Sequence, residues 1–378
     1  MLDIAVSYSH FANSHGGARE SLLTLLEGAS NSQKISVTVY QPAPADNHPQ
    51  TNFDYQIQTK PLHSIPKLTW ADRIITSFQW KKHLRKELKS THDVLITQTD
   101  LAPVSVTVAN EKGIPSIYFI RSLALTGYEK YFPERGHFRS FIQTDIGGKI
   151  QYPFLWENFQ QHFEATNTAT AVVANSEFTA EKLSELFRLK THTDVIYPPI
   201  DPEKYRVEYN PDGEITMVNP RTEYKGPQIF MNIADELPEE DFLMVGDINS
   251  SKIKKRAERT ENVTHWEWCN DMRKAYSKSK LVVVPSLVEE SFGRVPAEAM
   301  ISGIPCVVSD RGGLPEVVGD TGEIVSDINS TNAWLAAIKS AFKNHRPVQQ
   351  KRHVRNFLSD RQIKKFNTLL NDVTSDEM

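Results

Sequence analysis

The sequence is short of the features that define several protein classes. Among 378 residues there are two cysteines, Cys269 and Cys306, and neither belongs to a CxxC pair. This pattern excludes a disulfide framework and a thiolate zinc site, and it suits a reducing compartment. No apolar run approaches the eighteen or so residues of a transmembrane helix. The net charge of −4 leaves no basic excess, so we expect no nucleic-acid partner.

Three further absences narrow the chemistry. No basic and apolar leader precedes the first apolar stretch at Leu2, which argues against a signal peptide and favours the cytoplasm. There is no Asp-x-Asp and no cluster of His, Asp and Glu at metal-ligand spacing, so we expect no metal and no other cofactor. Gly16 and Gly17 do not form a GxGxxG fingerprint with a later ribose carboxylate, which disfavours a nicotinamide enzyme.

Short apolar stretches alternate with helical patterns along the whole chain. The length predicts two domains, because single cores rarely exceed about 300 residues. The alternation predicts βαβ units, and hence an α/β fold of two Rossmann-like, doubly wound domains facing across a cleft. Three prolines at positions 198–202 end regular structure there. We therefore expect an N-terminal domain at 1–198, a C-terminal domain at 199–350 and a terminal segment at 351–378.

Two cations follow the strand predicted at 214–219. Arg221 and Lys225 would then lie at the carboxyl edge of a parallel sheet. A guanidinium and an ammonium at this edge suit a diphosphate, whose negative charge grows when it leaves. A surface pair without a function is the alternative, and the position at the sheet edge favours the functional interpretation.

Two carboxylates, Glu290 and Glu298, stand eight residues apart in the second half of the chain. Pro296 predicts a helix start that places Glu298 in the first turn, and Val295 stands where a capping box needs a hydroxyl. An exposed Glu298 favoured by the helix dipole is the alternative. The functional interpretation is a site in which Glu298 binds a ribose diol, Glu290 binds sugar hydroxyls and Gly293 keeps backbone amides accessible.

The segment PSLVEESFGRVPAEAMISGIPCVVSDRGGLPEVVG resembles the donor-site signature of retaining GT-B glycosyltransferases of family GT4, with their Glu-x7-Glu pattern. HGGARE, VVANSEFTAEKL, VIYPPID and NPRTEYKG resemble other motifs of that family, in the same order. The resemblance implies a retaining, metal-independent enzyme that moves a sugar from a nucleotide-diphosphate sugar to a hydroxyl acceptor, which could be a glycan, a lipid-linked or a small molecule. A sugar-nucleotide epimerase or hydrolase and a non-catalytic sugar-nucleotide-binding module are the alternatives.

The same resemblance implies roles for individual residues. The catalytic residues would be Arg221, Lys225 and Glu290. The donor-binding residues would be Gly16, Gly17, Asn219, Ser291, Phe292, Gly293 and Glu298. On the acceptor side the candidates are His15, Arg121 and Ser122, because the stretch IYFIRS lacks the histidine that many relatives carry there. The domain at 1–198 would lie on the acceptor side, and the domain at 199–350 would bind the nucleotide sugar. The last helix would cross back to the first domain.

A helix in the first half combines an apolar set with a basic set. The apolar residues are Ile74, Ile75, Phe78, Leu84 and Leu88, and the basic residues are Lys81, Lys82, Arg85, Lys86 and Lys89. Such a helix could lie on an anionic membrane, which would place the protein at the inner face. A packed helix with a solvated charged face is the alternative that we favour, because Glu87 dilutes the charge.

Overall fold

The computed structural model describes residues 1–11, 17–42, 51–63, 69–98, 100–123, 146–187, 189 and 193–375. The chain divides into two compact units. The first comprises Met1–Tyr197 together with Gln362–Met378, and the second is Pro198–Arg361. One division falls at the start of the proline-rich segment, where missing N–H groups cannot continue a strand ladder.

The first unit is built on a parallel sheet. Its strands are β1 (Leu2–Ser7), β2 (Ile35–Gln41), β3 (Asp54–Thr59), β4 (Val94–Gln98), β5 (Ser116–Ile120), β6 (Ala171–Ala174) and β7 (Thr193–Val195). They lie in the order β3-β2-β1-β4-β5-β6-β7. Because β1 pairs with both β2 and β4, the chain changes direction across the sheet there. The carboxyl ends of β1 and β4 therefore form a topological switch point, where open α/β sheets bind ligands.

Helices cover both faces of this sheet. They are α1 (Gly17–Ser32), α2 (Thr69–Glu87), α3 (Ala102–Glu111), α4 (Ile146–Thr168) and α5 (Glu177–Phe187). The core-facing stripe of α1 is fully buried, as its helical spacing predicts: Leu22, Leu25, Leu26 and Ala29. The apolar side of α2 also packs inward at Trp80 and Leu84, whereas Phe78 is 71% exposed.

The second unit repeats the architecture with a six-stranded parallel sheet. Its strands are β8 (Glu214–Val218), β9 (Phe242–Val245), β10 (Val263–Trp266), β11 (Ser279–Val284), β12 (Cys306–Ser309) and β13 (Glu323–Val325), in the order β10-β9-β8-β11-β12-β13. Its helices are α6 (Pro227–Glu236), α7 (Ser251–Ala257), α8 (Arg273–Tyr276), α9 (Arg294–Met300), α10 (Leu314–Val318), α11 (Thr331–Lys343) and α12 (Pro347–His353). Here the switch point lies between β8 and β11.

The last helix, α13 (Ser359–Thr374), supplies apolar residues to the core of the first unit. These residues are Phe366, Leu369, Leu370 and Val373. The Phe366 ring lies 6.1 Å from that of Phe119 on β5, and Gln362 accepts a 3.0 Å hydrogen bond from the backbone N–H of Tyr197. The burial of four large apolar side chains fixes α13 on the first unit.

The helices within the described ranges include none that is both long enough and apolar enough to cross a membrane.

Candidate functional site

The loop after β8 is shaped by two residues in the left-handed backbone region. Asn219 has φ 62°, so the strand ends at Val218, one residue earlier than predicted. Gly226 has φ 75°, and any Cβ there would collide with the backbone of Pro285, which follows β11. Between them, Glu223–Lys225 form one 3₁₀ turn. The loop is thereby held directly against the chain that leaves β11.

This arrangement brings together two of the predicted catalytic residues. The Lys225 Nζ atom lies 2.5 Å from Oε1 of Glu290, and the Ser286 hydroxyl donates to the same oxygen at 2.6 Å. The side chains of Lys225 and Glu290 are 33% and 17% exposed, so both remain within reach of a ligand. A cation from the end of β8 and a carboxylate from the end of β11 thus meet at the switch point of the sheet.

A glycine pair after β12 supports the backbone of Glu290. The N–H of Gly313 donates to the Glu290 carbonyl at 2.6 Å, and Gly312 and Glu290 form a parallel bridge. Gly312 has φ 64°, and a Cβ there would collide with the Glu290 backbone. A side chain at either glycine would meet the backbone of residues 290–292. The two glycines therefore allow the loop after β12 to pack closely against this segment and fix its position.

The turn that follows starts helix α9 earlier than the sequence predicts. Phe292 is buried and packs edge-to-face on Phe357, with ring centroids 5.2 Å apart. Gly293 has φ 105° and forms the N-cap, so α9 begins at Arg294. The predicted start at Pro296 is wrong by two residues. Proline is tolerated within the first turn because the first N–H groups of a helix have no intrahelical acceptor.

Glu298 lies in a different environment from Glu290. It is 7% exposed, and its Oε2 accepts a 2.9 Å bond from the Tyr276 hydroxyl. Its Oε1 lies 3.2 Å from Nε of Arg294, and the Tyr205 hydroxyl also bonds to the carboxylate. Burial raises the pKa of Glu298, while Arg294 and the phenols oppose that rise. The interpretation of Glu298 as an exposed surface residue is therefore wrong.

Arg221, the third predicted catalytic residue, is exposed after β8. Its carbonyl accepts a 3.1 Å bond from the N–H of Asn249, and its side chain makes no hydrogen bond or ion pair with the described residues. The guanidinium is therefore available to an anion at the same edge as Lys225.

The acceptor-side candidates that the structure describes lie in the first unit. Nε of Arg121 donates to Oε1 of Gln98 at 3.1 Å, and the guanidinium lies 4.6 Å above the Phe119 ring. Ser122 is half-buried beside it, and Gly17 is the exposed first residue of α1. His15 and Gly16 lie outside the described residues.

Several side chains around these candidates were not expected from the sequence. In the second unit they are Tyr205, Tyr276, Ser286 and Arg294, and in the first unit they are Ser9 and Asp100, whose hydroxyl and carboxylate lie 2.5 Å apart. Arg294 could have been found, because it stands four residues before Glu298 on one helix. Tyr276 stands 22 residues away from its partner and gives no local signal. In the part of the chain that the structure describes, no three His, Cys, Asp or Glu side chains group as metal ligands.

Comparison with solved structures defines the class to which this fold belongs. Sucrose-phosphate synthase from Thermosynechococcus elongatus superposes with a TM-score of 0.73 at 18% identity, covering 99% of each chain. Anabaena HepE in complex with UDP and glucose superposes with a TM-score of 0.70 at 16% identity, covering 98% of this chain and all of that one. The two parallel sheets with flanking helices are those of the two-domain GT-B glycosyltransferases.

Family models then identify the chain more closely. The model for Glycosyltransferase Family 4 matches residues 15–204, half of the chain, and the model for Glycosyl transferases group 1 matches residues 215–344. The chain belongs to Glycosyltransferase Family 4, whose members are group 1 glycosyltransferases.

Curated relatives agree with this family over part of their length. Spore coat protein SA of Bacillus subtilis (strain 168) is 24% identical over 208 residues, which is 46% of this chain and 55% of the relative. D-inositol 3-phosphate glycosyltransferase of Mycobacterium sp. (strain KMS) is 28% identical over 202 residues, 47% of this chain and 46% of the relative. Each alignment thus spans about half of the relative's length.

Proposed function

We propose that this protein is a retaining, metal-independent glycosyltransferase that moves a sugar from a nucleotide-diphosphate sugar to a hydroxyl acceptor. The observation that carries the proposal is the contact of Lys225 with Glu290 at the carboxyl ends of β8 and β11. A diphosphate needs a cation, and the hydroxyls of a transferred sugar need an acceptor of hydrogen bonds. Both groups are present at one switch point, in a chain of this family.

The proposed reaction exchanges one bond for another at the anomeric carbon. The bond to the diphosphate oxygen breaks, and the acceptor oxygen forms its bond on the same face of the sugar. The acceptor's proton passes to the departing diphosphate. Arg221 and Lys225 neutralise the charge that grows on the leaving group, in place of a divalent cation. Glu290 accepts hydrogen bonds from the sugar hydroxyls.

The donor is proposed to occupy the second unit. Glu298 takes the ribose, and the backbone around the turn before α9 lies along the sugar and phosphate, with these residues contributing: Asn219, Ser291, Phe292 and Gly293. UDP-glucose is the first donor to test, because solved neighbours of this fold were obtained with UDP, glucose and UDP-glucose. Gly16 and Gly17 remain proposed donor contacts from the first unit, and His15, Arg121 and Ser122 remain proposed for the acceptor.

The proposal is tested by following the anomeric proton of the product by NMR. The protein is incubated with UDP-glucose and a mixture of hydroxyl-bearing acceptors, with and without a chelator. An α-linked product at a rate that the chelator leaves unchanged is expected. A β-linked product contradicts retention, and a chelator-sensitive rate contradicts metal independence. Sugar released or epimerised without an acceptor favours the hydrolase or epimerase, and donor binding without turnover favours a non-catalytic module.

We also propose peripheral contact of helix α2 with an anionic membrane. The exposed side of α2 carries Phe78, Lys82, Lys86 and Arg85 at helical spacing, but Arg85 is already paired with Glu111 at 2.6 Å. Sedimentation with phosphatidylserine vesicles should exceed sedimentation with phosphatidylcholine vesicles. Equal sedimentation with both lipids contradicts the contact.

A further inference from the structure

Around Glu298 the structure places hydrogen-bond donors from three separate parts of the second unit. Tyr276 ends α8, Arg294 begins α9, and Tyr205 follows the 3₁₀ helix Pro202–Lys204. The Tyr276 hydroxyl donates to Oε2, Nε of Arg294 donates to Oε1, and Nη2 of Arg294 also lies 3.2 Å from the Tyr205 hydroxyl. The four side chains form one closed network around a buried carboxylate.

Arg294 is the single cation among the described groups that face this carboxylate. The Tyr276 phenol is fully buried, and its surroundings raise its pKa well above the usual range, so it stays a neutral donor. The Cys306 thiol on β12 faces Tyr276, and burial raises its pKa as well. Tyr205 contributes a second hydroxyl, so among the described groups Arg294 is the cation that offsets the charge of an ionised Glu298.

Burial and pairing with Arg294 shift the pKa of Glu298 in opposite directions. Burial disfavours the carboxylate anion, because a charge removed from water loses its solvation. A guanidinium at 3.2 Å favours the anion and also fixes the plane of the carboxylate by its rigid geometry. A ribose hydroxyl that donates to Glu298 is accepted more strongly by the ionised carboxylate, because the protonated acid is a weaker acceptor and uses one oxygen as a donor.

We infer that Arg294 is a positioning residue, which holds Glu298 as an oriented, ionised carboxylate for the ribose of the nucleotide. This inference rests on the proposed function, in which Glu298 binds the ribose. It extends the donor site from the Glu-x7-Glu pair to a residue inside the pattern. Arg294 acts through Glu298 and not by touching the reacting atoms.

The test is the pH dependence of nucleotide affinity in Arg294→Met. Without the guanidinium the pKa of Glu298 rises further, so the carboxylate protonates as the pH falls and the ribose loses its acceptor. UDP affinity is measured by calorimetry from pH 5.5 to 8.5, with GDP and ADP in parallel. Because the terminal phosphate titrates near pH 6, the readout is the ratio of variant to wild-type affinity. We expect this ratio to fall about tenfold for each pH unit below the new pKa.

Two further variants separate positioning from a structural role. Arg294→Lys restores a cation and should return the pH profile towards that of the wild type. In a Glu298→Gln background, Arg294→Met should add no pH dependence, because the titrating group is gone. If Arg294→Met does not fold, Arg294→Gln carries the same expectation.

The outcomes distinguish this inference from the function on which it rests. A ratio that is constant across pH, whether low or near one, overturns the positioning role while leaving the donor site intact. Failure of the wild type to bind UDP, GDP or ADP overturns the proposed function itself. A restored profile in Arg294→Lys, together with a flat profile in the Glu298→Gln background, supports the inference.

Discussion

Glu290 and Glu298 belong to one short sequence pattern, but the structure gives them opposite environments. Glu290 is at the sheet edge, partly exposed, and paired with a lysine that arrives from another loop. Glu298 is inside the unit, 7% exposed, and surrounded by two phenols and an arginine from its own helix. The first carboxylate can exchange its partner for a ligand, whereas the second is held in place by partners that a ligand does not need to displace.

The difference shows how one pattern can serve two tasks. A partly exposed ion pair is weak in water, so a diphosphate can compete for Lys225 and release Glu290 to the sugar. A buried carboxylate held by three donors is costly to disturb but keeps acceptor capacity, so Glu298 suits a fixed contact such as a ribose. Changes at Glu290, Lys225 and Gly312 test the first environment, and a change at Glu298 tests the second.

The largest expected effect is on turnover in Glu290→Gln. In the proposed reaction Glu290 accepts hydrogen bonds from the sugar hydroxyls, so removal of its negative charge should lower the transfer rate by about a hundredfold or more. UDP affinity should change little, because UDP lacks the transferred sugar that Glu290 is proposed to contact. Steady-state kinetics and calorimetry measure the two quantities. Glu289→Gln is the matched control, because Glu289 is the adjacent exposed carboxylate and should keep full activity. Equal losses in both variants contradict the role of Glu290.

A smaller loss is expected from Lys225→Met, and it should appear in nucleotide binding. Removal of the ammonium takes away a charge-assisted contact to the diphosphate, so UDP affinity should fall about tenfold. Calorimetry with UDP and with uridine separates the phosphate contribution, since uridine affinity should not change. Lys252→Met on the exposed surface of α7 is the control. A parallel loss for uridine means that the variant acts through general distortion.

The glycine loop that supports Glu290 offers a stability test. Gly312→Ala combines a left-handed φ of 64° with a Cβ that collides with the Glu290 backbone, and it should lower the free energy of unfolding by about 1–3 kcal/mol. Gly113→Ala has nearly the same φ, 69°, with no atom within 4 Å of the added Cβ. The difference between the two variants in the free energy of unfolding, measured with denaturant, gives the contribution of the close contact with Glu290. Equal destabilisation means that the contact with Glu290 contributes nothing beyond backbone strain.

The smallest expected effect is a pH trend in the stability of Glu298→Gln. Burial raises the folded-state pKa of Glu298, so the wild type carries a stabilising contribution at low pH that it loses as the pH rises through that pKa. Glutamine does not titrate. The melting temperature of the wild type relative to the variant should therefore fall as the pH rises from the ordinary value of 4.5. A difference that stays constant, or that grows with pH, contradicts the burial-dominated environment.

The sequence predicts a large part of the fold because alternation and strand ends are local signals. The α/β class with two parallel sheets is confirmed, and β8 begins at the predicted Glu214 and ends one residue before the predicted end. The helix start at Pro296 was wrong, because the preceding glycine can turn the chain two residues earlier. A propensity for a first turn does not specify which residue of that turn comes first.

The contacts between the candidate residues could not be predicted from the sequence. Lys225 and Glu290 were each predicted from their own loops, yet their ion pair joins positions 65 apart and depends on the strand order. The surroundings of Glu298 were missed for a related reason, since Tyr205 and Tyr276 reach it through packing and not through spacing. The roles of the two units as acceptor and donor domains stay predictions.

The most direct test of the central claim is a thermal-shift panel with UDP-, GDP-, ADP- and dTDP-sugars on the wild type and on Lys225→Met. A ligand that binds only the folded state raises the melting temperature by mass action. We expect at least one donor to stabilise the wild type at saturating concentration and to give a smaller shift in Lys225→Met. The proposed donor site is contradicted if no donor changes the melting temperature of the wild type, or if the full shift survives without Lys225.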